Sequence, residues 1–304
     1  MQINSFKTTL ILTADIGGSH ITAAICDLES HSILPQSITR VDVDSKGSAE
    51  YILACWESAF KQVLEKGMAS SISGISIAMP GPFDYEKGIS YIIGLDKYES
   101  LYGMDIKCYF SRLMDIDHQN VRFRNDAEST IAGEALKGAG KDYKRVMGVT
   151  LGTGLGSAFT ENAITKDLNL GSNLYKETIA DDYLSTRWFL RRYLELVGVP
   201  LTSGVKELAG LAPSNKIARD IFMEFAINMN EFLSGPVVRF DPEVLIICGN
   251  IAKASQFFLP YLTKELNSIS IKVAQLGEYA PLIGAAAMFD NLSSTASLNS
   301  VTKL

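Results

Sequence analysis

The chain has 304 residues, of which 47% are hydrophobic and 20% charged, a composition typical of a globular protein long enough for two domains. Its formal net charge of −6 argues against nucleic acid or an anionic membrane surface as the main partner. No apolar run approaches the roughly 20 residues of a membrane span, and no cationic segment followed by an apolar one opens the chain. We therefore predict a cytoplasmic protein that acts on a small molecule.

Cysteine and histidine usage argues against disulfides and against a zinc site. The four cysteines are far apart, form no C-x-x-C pair, and lie mostly in apolar runs where free thiols behave as small hydrophobes. The three histidines also lack the spacing of metal ligands. We expect neither a disulfide nor bound zinc.

The first predicted element is a β-hairpin that encloses the turn Gly17-Gly18-Ser19. Its strands, residues 9–14 and 21–26, are rich in branched side chains that suit a buried sheet. Because glycine has no Cβ, such a turn can approach a ligand and offer N–H groups to phosphate oxygens. Asp15 would then face the phosphates through a cation, usually Mg²⁺ with its waters. The alternative is that the hairpin uses glycine only to turn.

Next come a third strand near residues 33–38 and a helix that Ser48 caps, with apolar residues recurring at i, i+3 and i+4 up to residue 64. Residues 72–79 are predicted to form a strand that ends at the Pro-Gly-Pro of residues 80–82, because proline lacks the amide donor. The first half therefore reads as three strands, a helix and a fourth strand.

The second half repeats the strand, glycine turn and strand of the first. Residues 121–124 read as a strand running into Asn125-Asp126, followed by a helical stripe to residue 136. A second hairpin then encloses the turn of residues 152–154, and this repetition suggests a duplicated fold. Helices at 182–197 and 216–233, a strand at 244–248 that ends at Gly249-Asn250, and a helix at 282–289 complete the order.

This order predicts two α/β domains. We place the first at residues 1–120 and the second at residues 121–290, with the final helix packing back on the first domain as an open option. Residues 291–304 are rich in Ser, Thr and Asn, and we expect a mobile tail there.

Two common nucleotide motifs do not fit the glycine turns. A Walker A loop needs Gly-Lys-Ser/Thr at the start of a helix, whereas Gly140-Lys141 is followed by Asp142. The Rossmann fingerprint needs a third glycine and then a helix, whereas a strand follows each turn here.

Taken in order, the motifs resemble those of the ROK sugar kinases, a glucokinase-like family. Residues 14–19 resemble the first phosphate motif, 79–84 the proline-glycine sugar loop, 125–128 the catalytic segment, 150–156 the second phosphate motif, and 248–252 with 282–287 the nucleotide-side motif and closing helix. The resemblance implies an α/β, two-domain actin-like ATPase (RNase H-like) fold with a ligand cleft between the domains. It also implies ATP-dependent phosphorylation of a hexose hydroxyl, with ATP and Mg²⁺ as cofactors.

The resemblance assigns Asp126 as the general base for the attacking sugar hydroxyl. At a helix N-terminus the dipole favours the carboxylate, and phosphoryl transfer needs orientation more than basicity. Asn125, Pro80 and Gly81 would contact the sugar, although Asn125-Asp126 is also a favoured helix cap and both roles can hold together. The nucleotide and its phosphates would contact ten residues, with Asp15 also holding Mg²⁺ through water: Asp15, Gly17, Gly18, Ser19, Thr150, Gly152, Thr153, Gly154, Gly249 and Asn250.

The chain departs from the family in its sugar segment. The family's Gly-Glu, the His that follows and the zinc-binding cysteine cluster are missing from residues 166–179, so the zinc loop reads as deleted. Asp167, Asn169 or Glu177 would supply planar acceptors for a sugar instead, or all three are solvated loop residues. The family's Asn-Leu is also missing, and Asp96 or Lys97 would then face the sugar unless they too are surface residues.

Two other functions stay open. A ROK-type sugar-responsive regulator would carry an added N-terminal helix-turn-helix, for which we expect no room because the first strand begins within about ten residues of Met1. A sugar-binding pseudokinase would not be expected to keep Asp15, Asp126 and both glycine turns. Among kinases, the substrate would be glucose, an N-acetyl amino sugar or fructose, and the family resemblance suggests a homodimer.

Overall fold

The computed structural model describes residues 9–66, 72–266 and 269–290, apart from the side chains of residues 263–265. The predicted tail, 291–304, lies outside the described residues. The strands of the two main sheets, together with two short hairpins, are β1 (Leu10–Ile16), β2 (His20–Asp27), β3 (Ser32–Ile33), β4 (Thr39–Asp42), β5 (Gly74–Met79), β6 (Phe83–Asp84), β7 (Ile89–Ser90), β8 (Val121–Asn125), β9 (Arg145–Leu151), β10 (Leu155–Glu161), β11 (Ile164–Asp167), β12 (Leu174–Tyr175), β13 (Thr178–Ile179), β14 (Val244–Cys248) and β15 (Ser270–Val273). The helices are α1 (Ala49–Glu65), α2 (Ile106–Leu113), α3 (Asp126–Lys137), α4 (Thr186–Val197), α5 (Gly204–Leu211), α6 (Lys216–Phe240), α7 (Leu259–Glu265) and α8 (Tyr279–Ala286).

The described residues divide into two compact units, one made of those between 9 and 133 together with 278–290 and one made of those between 134 and 277. The division thus lies later than the boundary we predicted near residue 120. Strand β8 belongs to the first unit because it pairs in parallel with β5, from Ile75 opposite Val121 to Met79 opposite Asn125. Asp126 therefore belongs to the first unit.

The first unit is built on a six-stranded sheet in the order β3-β2-β1-β5-β8, with β4 also pairing with β2. Strands β1 and β2 form an antiparallel hairpin, whereas β1, β5 and β8 run parallel. Helix α1 begins after Ser48, whose hydroxyl accepts a hydrogen bond from the Tyr51 amide, and it buries Trp56 and Phe60 in the core. Helix α8 packs on β1 and β5.

The second unit repeats this plan with a five-stranded sheet in the order β11-β10-β9-β14-β15. Strands β9 and β10 form its antiparallel hairpin, and β9, β14 and β15 run parallel. Its core joins the sheet to α4 and α6 through a cluster of aromatic rings that includes Phe189, Phe222 and Phe225. Each sheet therefore combines a hairpin with parallel strands, as the repeated glycine turns suggested.

Two predicted elements were placed wrongly. Residues 33–38 do not form one strand: β3 ends at Ile33, a 3₁₀ turn spans Pro35–Ser37, and the ladder resumes at Thr39. Proline cannot donate to the ladder, and the Ser37 hydroxyl accepts instead from the Ile25 amide at 2.8 Å. The helix predicted to end at residue 233 continues through Pro236 to Phe240, and Val237 is buried in the last turn.

None of the helices within the described residues is both long enough and apolar enough to span a membrane.

Candidate active site

The residues of the predicted catalytic half-site lie at one edge of the first sheet. Asp15 is next to last in β1, Pro80 follows β5, and Asn125 ends β8. Asp15 of β1 lies opposite Ala78 of β5, and Met79 of β5 lies opposite Asn125 of β8. Because β1, β5 and β8 are parallel, their carboxyl ends meet at the same edge, which is where open α/β sheets bind ligands.

Asp15 carries an electrostatic penalty at this edge. Burial raises the pKa of its carboxyl to about 7, and the negative charges of Asp126 and Glu278 add to the shift. Glu278 precedes α8 and pairs weakly with Arg40, at 3.6 Å. An incoming cation would relieve the repulsion among these three carboxylates.

Asn125 and Asp126 together begin helix α3. The Asn125 Oδ1 accepts from the Glu128 amide at 3.1 Å, and the Asp126 Oδ1 accepts from the Ala127 amide at 2.8 Å. Asn125 is therefore a helix cap, as the alternative interpretation of this pair required. The cap leaves the Asn125 amide nitrogen directed elsewhere, so a role in ligand binding is compatible with capping.

Tyr85 is a neighbour of the predicted sugar residues that the sequence pattern did not reveal. Its hydroxyl donates to the Met79 carbonyl at 3.1 Å and accepts from the Asn125 amide nitrogen at 3.2 Å. A Cβ on Gly81 would lie 3.1 Å from the same hydroxyl. Pro80 is buried, whereas Gly81, Tyr85 and Asn125 are half-buried. No motif could have signalled this contact, because residues 85 and 125 meet only through the pairing of β5 with β8.

The first glycine turn is held by a neutral side chain from a distant loop. The Tyr98 hydroxyl donates to the Gly17 carbonyl, and the Gly17 amide donates to the His20 carbonyl at 2.9 Å. Tyr98 is fully buried, and burial raises the pKa of its phenol. Ser19 is exposed, with its hydroxyl 3.3 Å from the His20 Nδ1. The turn is therefore anchored at Gly17, next to the exposed Gly18.

The second glycine turn is held by a charged pair. Asp181 accepts from the Leu155 amide and from Arg187, and Arg187 Nη1 also donates to the Thr153 carbonyl at 3.1 Å. The Thr186 amide donates to the Gly152 carbonyl at 2.8 Å. Thr150 lies in the ladder, opposite Gly156 on one side and Cys248 on the other. An aspartate six residues before an arginine was the only sequence signal for this pair.

The glycines of the two turns, and Gly249, differ in what a side chain at each position would contact. A Cβ on Gly18 or Gly152 would meet nothing within 4 Å, and neither residue has a left-handed φ. A Cβ on Gly154 would lie 2.8 Å from Asp181 Oδ1. Gly249 has a φ of +88°, and its Cβ would lie 2.3 Å from the Leu151 carbonyl oxygen, so the turn itself requires glycine. Only Gly18 and Gly152 keep space open for a ligand.

A cavity of about 500 Å³ opens beside Asn250 in the second unit. Thr186, Ser203, Lys206, Asn250 and Lys253 supply its polar lining. The Lys253 ammonium donates to Asn250 Oδ1 at 2.9 Å. Of these residues, sequence reasoning found only Asn250, because the others come from segments that carry no motif.

The residues proposed to replace the family's sugar contacts are exposed. The Asp96 side chain is 91% exposed and lies 3.4 Å from the Lys46 ammonium, and no described contact joins it to Asn125 or Gly81. Asp167 accepts from the Asn169 amide at 2.8 Å, and Asn169 Oδ1 accepts from the Ser172 hydroxyl at 3.0 Å. Glu177 lies exposed between β12 and β13.

Within the described ranges, no group of three or more His, Cys, Asp or Glu side chains has the arrangement of a metal site. The half-buried carboxylate of Asp15, with its raised pKa and two negative neighbours, nevertheless suits a hydrated divalent cation. Such a cation would be held through water, by one carboxylate and the phosphates of a ligand, and not by a cage of protein ligands.

Solved structures share this architecture over nearly the whole chain. A ROK family glucokinase from Streptomyces griseus, in complex with glucose and AMPPNP, superposes with a TM-score of 0.73 at 22% identity and covers 92% of this chain and 98% of its own. A ROK family transcriptional regulator, a homologue of the E. coli MLC protein, superposes with a TM-score of 0.79 at 14% identity and covers 94% of this chain and 78% of its own. The protein has the two-domain α/β fold of the actin-like ATPases, as predicted.

A family model identifies the family to which this two-domain α/β protein belongs. Residues 11–167 match the model of the ROK family, so the chain belongs to that family. An N-acetyl-D-glucosamine kinase from Haemophilus influenzae is 21% identical over 90% of this chain and 97% of its own length.

Proposed function

We propose that this ROK protein is an ATP-dependent kinase that phosphorylates a hydroxyl group of a hexose. The observation that carries the proposal is the meeting of Asp15, the Pro80-Gly81 loop and Asn125-Asp126 at the carboxyl ends of three parallel strands. This edge offers a carboxylate for a metal and another for a hydroxyl proton. Relatives named as kinases of glucose and of N-acetyl-D-glucosamine support the same activity.

Asp126 is the general base in this proposal. Its Oδ1 is already fixed by the Ala127 amide at the start of α3, so the carboxylate is oriented before the substrate arrives. The helix dipole favours its ionised form, and the loose transition state of phosphoryl transfer demands position more than basicity. Asp126 would take the proton of the sugar hydroxyl as that oxygen attacks the γ-phosphate of ATP.

Asn125 would orient the same sugar. Its amide oxygen is used by the helix cap and one amide hydrogen by Tyr85, which fixes the plane of the amide and leaves its second hydrogen for a sugar oxygen. Pro80 and Gly81 would line the acceptor site beside it. The replacements for the family's Glu and His stay open among Asp167, Asn169 and Glu177, all three of which are exposed.

The glycine turns would bind the phosphates of ATP. Gly18 and Gly152 leave room for phosphate oxygens at the backbone. Asp15 would hold Mg²⁺ through water, and the ion supplies charge neutralisation for the phosphates when it is bound. The cavity beside Asn250 would accept the nucleoside, with Thr186, Ser203 and Lys206 within its walls.

A coupled assay of ADP release over hexoses, hexosamines and N-acetyl hexosamines tests the function. We expect turnover with at least one sugar, an absolute requirement for Mg²⁺, and no loss of activity with a zinc-selective chelator. The alternative is a sugar-responsive regulator, which the likeness to a ROK transcriptional regulator favours. Sugar binding without ADP release would contradict a kinase and support either the regulator or a sugar-binding pseudokinase.

Two further expectations come from the sequence, the oligomeric state from the family resemblance and the location from composition. We propose a homodimer and a cytoplasmic location, and sedimentation of the purified chain together with fractionation of its host cell tests them.

A further inference from the structure

Asp181 and Arg187 hold the second glycine turn from outside its hairpin. Asp181 lies in the 3₁₀ turn Ala180–Asp182, and Arg187 lies in the first turn of α4. Asp181 accepts from the Leu155 amide and pairs with Arg187, which reaches the Thr153 carbonyl at 3.1 Å. The pair thus contacts both sides of Gly154.

These contacts fix the direction of two backbone amides. The Gly152 carbonyl is bound by the Thr186 amide at 2.8 Å, and the Thr153 carbonyl is bound by Arg187. A planar trans peptide points its N–H opposite to its C=O, so the amides of Thr153 and Gly154 must point away from α4. Among the described residues, neither amide has an acceptor.

The glycine at position 154 makes room for Asp181. A Cβ there would lie 2.8 Å from Asp181 Oδ1, so the carboxylate would have to move away from its contacts with Leu155 and Arg187. A Cβ on Gly152 would meet nothing within 4 Å. The absence of a side chain at position 154 thus lets Asp181 keep its contacts with the turn, whereas position 152 leaves space for a ligand.

The segment that leads to Asp181 is held on helix α6 of the second unit. Asp181 follows the hairpin of β12 and β13, in which the Lys176 ammonium donates to Asn228 Oδ1 at 2.6 Å and the Tyr175 hydroxyl donates to Glu231 Oε2 at 2.7 Å. Asn228 and Glu231 belong to the long helix α6. The hairpin lies in the segment where the chain lacks the zinc loop, so a polar cluster anchors that segment.

We propose that Asp181 and Arg187 are positioning residues for the nucleotide, aiming the Thr153 and Gly154 amides at its phosphates. This inference rests on the proposed function, since it assigns a ligand to the turn that the pair holds. A partly buried carboxylate between a backbone amide and a guanidinium keeps the turn in one conformation before the nucleotide binds, which lowers the entropic cost of binding.

The test compares Asp181→Asn, Arg187→Gln and the double variant with two controls. Arg192→Gln removes an arginine of the same helix that pairs with Glu224 of α6 at 2.9 Å and contacts neither the glycine turn nor the Ala180–Asp182 turn. Asp220→Asn removes an exposed carboxylate that pairs with Lys216 at 2.6 Å on α6. For each protein we measure the KM for ATP, the KM for the sugar, the Kd of Mg-AMPPNP by calorimetry, and the Tm.

Each single variant should raise the KM for ATP and the Kd of Mg-AMPPNP about fivefold to tenfold and leave the KM for the sugar within about twofold. The double variant should resemble the singles, because the two side chains act as one unit. The inference about Asp181 and Arg187 would be wrong if all three variants bound the nucleotide with wild-type affinity, or if the controls lost as much affinity. Neither result would contradict the proposed kinase activity. A wild-type chain that neither binds Mg-AMPPNP nor releases ADP would overturn the proposed function and this inference together.

Discussion

The two glycine turns share one backbone plan but differ in the charge around them. In the first turn a buried, neutral tyrosine, Tyr98, holds the Gly17 carbonyl, and the nearby Asp15 faces two further negative charges. In the second turn Arg187 holds the Thr153 carbonyl, and Asp181 is neutralised by that same arginine. The first turn thus has an unbalanced carboxylate suited to a cation, whereas the second is balanced within the protein.

The comparison explains why a repeated motif need not have a repeated function. Both turns fix a carbonyl and thereby aim the amide of the following residue outward. Only the first adds a carboxylate that a metal would stabilise. This difference supports our proposal that Mg²⁺ would lie beside the first turn, while each turn would contact phosphate.

The largest effect is expected from replacing Asp126, the proposed general base, which lies in the same unit as the first turn. Asp126→Asn should lower kcat by about 10³-fold, because asparagine keeps an oxygen for the Ala127 amide but cannot accept the hydroxyl proton. The Kd of the sugar should change less than about threefold. Turnover and calorimetric sugar binding measure the two effects, and Glu50→Gln, an exposed carboxylate in the first turn of α1, is the matched control. Unchanged kcat in Asp126→Asn would remove the catalytic assignment.

The charge difference between the turns should also appear in stability. The pKa of Asp15 is raised to about 7 in the folded protein, against an ordinary value of 3.8, so its carboxyl makes the fold less stable as the pH rises from about 4 to about 7, and the loss stays constant above that. Asp15→Asn should raise the free energy of unfolding by roughly 2 kcal/mol at pH 8, and the gain should vanish below about pH 4, where the carboxyl is protonated in both states.

Denaturant unfolding of the ligand-free chain between pH 4 and pH 8 measures this gain. Asp181→Asn is the contrast, because it removes a carboxylate that Arg187 already balances, and it should lower stability at pH 8. If both variants changed the free energy of unfolding in the same direction, the two turns would not differ electrostatically in the way we infer.

A smaller effect is expected from filling the open space at the turns. Gly18→Ala and Gly152→Ala should fold normally, since their Cβ atoms meet no protein atom within 4 Å, yet each should weaken Mg-AMPPNP binding about tenfold by occupying the place of a phosphate oxygen. Gly210→Ala, in α5, is an equally open control. Wild-type nucleotide affinity in both turn variants would mean that the turns only connect strands.

The smallest effect is expected at Tyr98. Tyr98→Phe removes the neutral hydroxyl from the Gly17 carbonyl while keeping the ring beside Trp56, with centroids 5.5 Å apart. The KM for ATP should rise about threefold, less than for Arg187→Gln, because a neutral hydrogen bond is weaker than one from a guanidinium. Tyr109→Phe, which removes a hydroxyl bound to Glu57 at 3.2 Å, is the control. A larger rise in the KM for ATP in Tyr98→Phe than in Arg187→Gln would mean that the neutral contact at the first turn matters more for nucleotide binding than the charged contact at the second.

Much of the fold followed from local pattern. The branched residues of β1 and β2, the glycines between them and the Ser48 cap of α1 all express preferences that act over a few residues. Errors arose where tertiary contacts outweighed local signals. The helix α6 continues through Pro236 to bury Val237 one turn after Leu233, and β8 joins the first unit because it pairs with β5.

By itself, the sequence determined the family, the two hairpins and the positions of Asp15, Asn125 and Asp126, because these depend on residue type and order along the chain. Only the tertiary structure decided which glycines leave open space, that Asp15 faces Asp126 and Glu278, and that Tyr98 and Arg187 hold the turns. Those facts depend on residues up to 263 positions apart, from Asp15 to Glu278, and no local pattern carries information about such contacts. The electrostatic difference between two similar turns is therefore a property of the folded chain.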